Sequence, residues 1–276
     1  MNTITEASIM QYIEYLYARR RAPSTVQKYV HSIRLFAAWL GDRPFTREAF
    51  AQWARQLDVS PRTANGAISA VNGLAAFLRH GEVRLELNRV ETPYYRAEGK
   101  ELKRVEYERL LTAARQTGKE RLYLTVMTIA ALGIRVSELK YITAAAVEQG
   151  EARITNKGKT RSLVIPDKLR ARLNAYIHKR GIRGGPIFLT RSGKPLSRGQ
   201  VWEDLKKLAR AAGVALAKVF PHNLRHLFAV LHYQVHKDIF TLSRILGHSS
   251  VKTTQIYLIT SSKVFGRGIE ILGLIQ

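Results

Sequence analysis

Apolar side chains in the opening stretch of the chain recur at intervals of three and four, the spacing that lines up one face of an α-helix. Ile9, Ile13, Leu16 and Tyr17 form one such face, and Val26, Tyr29, Val30, Ile33, Phe36 and Leu40 form a second. Pro23 and Ser24 mark the start of that second helix, with Ser24 as its cap, and Gly41 marks its end. Thr46 is placed to cap a short third helix through Leu57. The Ser60 and Pro61 pair opens a fourth, with Ala64, Ile68, Val71, Ala75 and Leu78 on one side. Residues 1–81 thus predict a four-helix unit, and residues 1–87 a first domain.

That periodicity lapses over residues 88–102, a polar segment broken by Pro93 and Gly99, which reads as a linker. A helix from about Val105 to Ala114 then precedes Leu122 to Leu132, which is apolar on nearly all sides and is expected to be the buried central helix of a second core. Gly133 suits a left-handed cap at its end. ARITN and RSLVI alternate as short strands do, and the KGKT between them predicts a four-residue hairpin loop. Helical patterning resumes near Asp167 and continues to the end. The expected fold is mainly α with a small β-hairpin: a helical first domain, then a mixed α/β domain over residues 103–276.

Length and charge narrow the function. A chain of 276 residues favours two domains over one. Its 45 Lys and Arg against 21 Asp and Glu leave a net charge of +24, which points to a polyanionic partner. The charge is uneven: residues 1–90 carry 12 basic and 7 acidic side chains, the rest 33 and 14, so most of the positive field lies in the second part. With no cysteine there is no disulfide, no thiolate nucleophile and no cysteine zinc site. No apolar run reaches the roughly 18 residues of a membrane span, and the N-terminus lacks a signal-peptide pattern, so a cytoplasmic, nucleoid-associated protein is expected.

Breaking a phosphodiester takes a nucleophile in line with the leaving oxygen, positive donors for the non-bridging oxygens, and an acid for the leaving group. Carboxylates that would hold a pair of metals are scattered, and the nearest two, Glu203 and Asp204, fall on a basic helix. Cations ordered around a tyrosine remain. Arg135 follows the buried helix and its glycine cap, with Glu138 three residues on and able to orient it. Lys157 sits in the predicted hairpin loop. In PHNLRH, His222 and Arg225 are three apart and so share a helix face, and in LGHSSVKTTQIYL His248 precedes Tyr257 by nine residues. Taken singly, each has a plain structural reading: an arginine paired with a glutamate, a packed tyrosine, a solvated histidine. Their joint order and local strings argue otherwise.

In that order and those strings, the chain resembles the tyrosine recombinase (phage integrase) family, matching its motifs at Arg135, Lys157, His222, Arg225, His248 and Tyr257. The four-helix unit, with Ser24, Thr25 and Tyr29 in its second helix, is similar to the family's SAM-like core-binding DNA-binding domain. The likeness spans essentially the whole chain and is nearest to the small Xer-like type. It implies site-specific recombination, as in Xer-like or mobile-element integrases. Tyr257 would attack a DNA phosphate to form a 3′-phosphotyrosyl link, and exchange would pass through a Holliday junction. Arg135, Arg225 and His248 would neutralise the transition state, Lys157 would protonate the leaving 5′-oxygen, and His222 would assist proton movement at the tyrosine. Neither metal nor nucleotide cofactor is implied. The implied partners are duplex DNA bearing a recombination site, clamped by both domains, three further protomers in a homo- or hetero-tetramer on two duplexes, and an accessory or partner recombinase. A type IB topoisomerase and a non-catalytic DNA-binding protein are the rival readings.

Two positions leave a choice. Lys159 competes with Lys157 for the hairpin role, and Asn156 stands where the family commonly has glycine. The apolar tail, with Val264, Phe265, Ile269, Ile271, Leu272 and Ile275, is expected to dock either on its own core or on a neighbouring subunit.

Overall fold

A computed structural model of the chain describes residues 4–90, 99–156, 158–248 and 250–258. Three sequence expectations therefore lie outside the described residues: the position of Lys157, the docking of the apolar tail, and most of the linker. The chain divides into two units, Met1–Thr92 and Pro93–Gln276.

The first unit holds four helices, α1 (Glu6–Ala18), α2 (Pro23–Leu40), α3 (Arg47–Arg55) and α4 (Pro61–Phe77). Thr46 and Ser60 cap α3 and α4 through side-chain oxygens that accept from Ala49 and Thr63, as expected. Ser24 does not cap α2. The helix begins at Pro23, whose fixed φ and missing N–H suit the first helical position, and Ala22 takes the cap place without a side-chain hydrogen bond. Similarly, α3 stops at Arg55 instead of reaching Leu57. The apolar faces meet in one core, where Phe36 touches Phe45, Phe50 and Trp53 with ring centroids 5.0–5.3 Å apart. Two asparagines one face of α4 apart then hold the departing chain. Asn72 exchanges hydrogen bonds with the backbone of Leu85, and Asn65 with that of Asn88.

The second unit is built on α6 (Glu120–Leu132), buried on nearly every side as its sequence predicts. Around it pack α5 (Arg104–Gln116), α8 (Asp167–Arg180) and α10 (Pro221–His236). A 3-10 turn at Val136–Tyr141 and α7 (Ala144–Gln149) lead into an antiparallel pair, β1 (Glu151–Asn156) and β2 (Lys159–Val164). Asn156 pairs directly with Lys159, so the connection is two residues long, not four, and Lys159 and Thr160 belong to the strand. A two-residue connection keeps the ladder paired to its end and carries a glycine at positive φ, Gly158, as tight hairpins require. The unit is completed by α9 (Arg198–Ala211), α11 (Ile239–Leu246) and α12 (Val251–Leu258). Among the described residues no helix is long and apolar enough to cross a membrane.

Candidate active site

The site begins at the end of α6. Gly133 takes the left-handed conformation (φ +60°) and ends the helix there, and its carbonyl accepts a hydrogen bond from Arg225 Nη1 at 2.8 Å. A side chain at Gly133 would run into the Phe228 ring on α10, so the close approach of cap and helix depends on glycine. Two residues on, Arg135 donates through Nη1 to Glu138 Oε1 at 2.9 Å, while its backbone N–H bonds Glu138 Oε2 at 2.8 Å. Glu138 is 2% exposed and Arg135 is 33% exposed, so the carboxylate is the buried brace and the guanidinium keeps an open side.

Pro221 starts α10 at its first turn, which puts His222 and Arg225 on one face. Arg225 is 1% exposed and, among the described residues, has no acidic partner closer than Glu138 at 4.0 Å. Besides Gly133 it donates through Nη2 to the carbonyl of Leu246 at 2.7 Å and meets His248 Nε2 at 2.8 Å. Arginine has only donors, so Nε2 accepts, and the ring proton of His248 sits on Nδ1, where Thr254 Oγ1 lies 2.8 Å away. Burial pushes His248 down to about 4, with the charges of Arg225, Arg135, Arg161 and His222 adding to the effect, so the ring is neutral at pH 7. Arg225 is itself lowered to about 10, by burial first and then by Arg135, with Tyr257 and Glu138 opposing; it stays charged.

Tyr257, on α12, is 6% exposed and completes the group. Its Oη lies 3.4 Å from His222 Nε2, its ring stacks on His248 with centroids 5.6 Å apart, and the buried His226 faces it at 5.3 Å. The structure thus brings Arg135, His222, Arg225, His248 and Tyr257 into one cluster, and Lys157 alone of the six predicted positions falls outside the described residues. Thr254 on α12 is fully buried and braces His248.

One member of the cluster was missed by the sequence reading. Arg161 on β2 grips both oxygens of Glu138, at 3.1 and 2.8 Å, and donates through Nε to the carbonyl of Ile245 at 3.0 Å. A signal existed. Residues directly opposite on paired strands share a face, and Arg161 pairs with the buried Ile154, next to the buried pair Ala152 and Leu163. An arginine on the inward face of a hairpin demands a carboxylate. Burial alone would raise Glu138, but hydrogen bonds from Arg161 and the Arg135 backbone, together with the Arg161 charge, outweigh it and hold the carboxyl below its ordinary value.

Among the described residues no group of three or more histidine, aspartate or glutamate side chains is arranged to hold a metal ion. The polar groups converge instead on one another and on the Tyr257 phenol.

Residues 100–263 match the phage integrase family and residues 9–82 its N-terminal SAM-like domain. Tyrosine recombinase XerA of Thermococcus kodakarensis is 31% identical over 258 residues, covering 90% of this chain and 89% of that one. In fold, the chain is similar to the XerH site-specific recombinase in a pre-cleavage complex with its difH substrate (TM-score 0.72, 18% identity, covering 97% of this chain and 84% of that one). It is also similar to a lambda integrase tetramer bound to a Holliday junction (TM-score 0.72, 19% identity, 93% and 78% covered). The match of both halves of the chain, with the cluster around Tyr257 in the second, places the protein in the phage integrase family as a Xer-like tyrosine recombinase.

Proposed function

We propose that this tyrosine recombinase carries out site-specific recombination by cutting and rejoining duplex DNA through Tyr257. The observation that supports this most is the convergence of the Arg225 guanidinium, two histidines and one phenol within hydrogen-bond or ring-contact range, with Arg135 beside them on the Leu246 carbonyl that Arg225 also bonds. In the first step the Oη of Tyr257 attacks a phosphorus atom, the bond to the 5′-oxygen breaks, and a 3′-phosphotyrosyl link forms. The phenol proton goes to His222 Nε2, the nearest base, and the 5′-oxygen takes a proton from Lys157. The free 5′-hydroxyl of a second strand then reverses the step. Bond energy is kept in the phosphotyrosyl link throughout.

Arg135 offers the phosphate its open face, and Arg225 adds the Nη2 donor that meets His248 in the free protein. Removing one such donor from a preorganised site costs about a hundredfold to a thousandfold in rate. His248 has a double role. Neutral in the free protein, it accepts a hydrogen bond from Arg225; a bound phosphate accepts that Arg225 N–H in its place and, as an anion, favours protonation of the ring, turning His248 into a third donor. Thr254 keeps the ring aligned through both states.

Duplex DNA is the substrate, with both units contributing contacts, and the strongly basic second unit supplies most of those to phosphates. Exchange of strands needs two duplexes and four protomers, an arrangement in keeping with the fold shared with a tetrameric integrase. Relaxation of supercoils without a defined site, and a binding role without chemistry, are not favoured beside the Xer relatives. To test the reading, duplexes bound by the protein are selected from a randomised pool, nicked at each position in turn, and incubated with wild-type protein or Tyr257→Phe. A covalent adduct on denaturing gels is expected with wild type and none with the variant, although both bind. No adduct from wild type at any nick position overturns the proposal.

A further inference from the structure

The geometry points to Arg161, a residue outside the six motif positions, as a positioning residue of the active site. Its guanidinium holds Glu138, and through it Arg135, in register with the turn that presents His248.

The carboxylate of Glu138 has four lone-pair directions, and each is used. Arg161 Nη1 and Nη2 take one on each oxygen, and Arg135 takes the other two through its own Nη1 and its backbone N–H. Arg135 can turn its fork toward a phosphate only from a carboxylate that is itself fixed, and Arg161 is the residue that fixes it. The same planar group reaches the other way. Its Nε bonds the carbonyl of Ile245, in the last turn of α11 and three residues before His248. At Gly247, φ +64°, a Cβ would lie 2.6 Å from Arg161 Nη1, so the turn closes directly over the guanidinium. Arg161 thus joins three elements: the hairpin that carries it, the turn after α6 and the end of α11. Lysine cannot do this, since a single ammonium lacks the fork that spans two carboxylate oxygens and a carbonyl.

This inference rests on the recombinase reading, and its test separates the two. The nicked duplex that captures wild-type protein is used in single-turnover capture at saturating protein with Arg161→Met and Arg161→Lys, alongside affinity for the unnicked duplex. Capture is expected to slow by about tenfold to a hundredfold in both variants, as when outer partners of a reactive centre are lost, with affinity unchanged. A second measurement follows His248 by NMR titration. The groups facing that ring are Arg225 and His222 from α10, Arg135 from the turn after α6, Arg161 from β2, and Thr254 and Tyr257 from α12. Removing one of these cations in Arg161→Met should raise the pKa of His248, and Arg161→Lys should leave it near its wild-type value. Together these outcomes separate geometry, which fails in both variants, from charge, which fails in one.

Should Arg161→Met not fold, the double variant Arg161→Met/Glu138→Gln removes the stranded carboxylate and carries the same measurements. Capture at wild-type rates, or a loss explained wholly by weaker binding, overturns the proposal, as does an unmoved His248 in Arg161→Met. If wild-type protein captures no DNA, it is the recombinase reading that falls first.

Discussion

Glu138 carries no chemistry of its own, yet it is the residue on which the cations around Tyr257 depend. At 2% exposure it is held by two arginines, and Arg225 stands 4.0 Å from it. Replacing it with alanine strands that positive charge in a buried place, and urea unfolding should register a loss of about 3 to 5 kcal/mol. Thr254→Val is a gentler probe. It removes the acceptor for the Nδ1 proton of His248 and leaves shape nearly intact, so the native state should lose about 1 to 3 kcal/mol and covalent capture should slow with affinity preserved. His248 also sets an acid limb of stability. Its pKa falls from 6.5 to about 4 on folding, so between these values the unfolded chain binds the proton and the folded one does not. Stability contributed by the neutral ring is therefore complete above about 6.5 and lost as pH falls toward 4. His248→Gln should flatten that part of the stability curve against pH, and an unchanged slope would refute the assignment.

Secondary-structure elements bring these residues together through their ends. Gly133 ends α6, Pro221 begins α10 and Gly247 ends α11, and a site residue follows each within four positions. Gly133→Ala places a β-carbon in the left-handed region and against the Phe228 ring; backbone strain of about 1 to 2 kcal/mol and overpacking of about 1 to 3 kcal/mol should lower the unfolding midpoint clearly. Such ends were legible where one residue type decides them: Thr46 and Ser60 as caps, Gly133 as a terminator. Ser24 misled because proline at the preceding position settles the helix start before a serine cap can act. The hairpin loop was read two residues too long, since Lys and Gly are weak strand formers, and pairing of Asn156 with Lys159 overrides that local preference. Arg161 escaped for a related reason. Its inward face could be read only through the register with β1, where it opposes Ile154, and its partner Glu138 lies 23 residues away, outside any motif.

On the scale of the whole molecule, the mainly helical fold with one small hairpin and the charge were legible from periodicity and composition, because buried faces and ionic groups are additive properties of the chain. The +24 charge predicts how it holds DNA. Affinity for duplex should fall with a log-log salt slope of about −0.9 per neutralised phosphate, a loss of about a thousandfold or more between about 50 and 200 mM salt if six or more phosphates are engaged. A slope near zero would contradict binding through the basic surface. The central claim is that Tyr257 forms the covalent bond. It is tested most directly by digesting the trapped protein–DNA adduct with protease and nuclease and locating the residual nucleotide by mass spectrometry. A phosphonucleotide on Tyr257 is the expected result; its presence on any other residue would contradict the account.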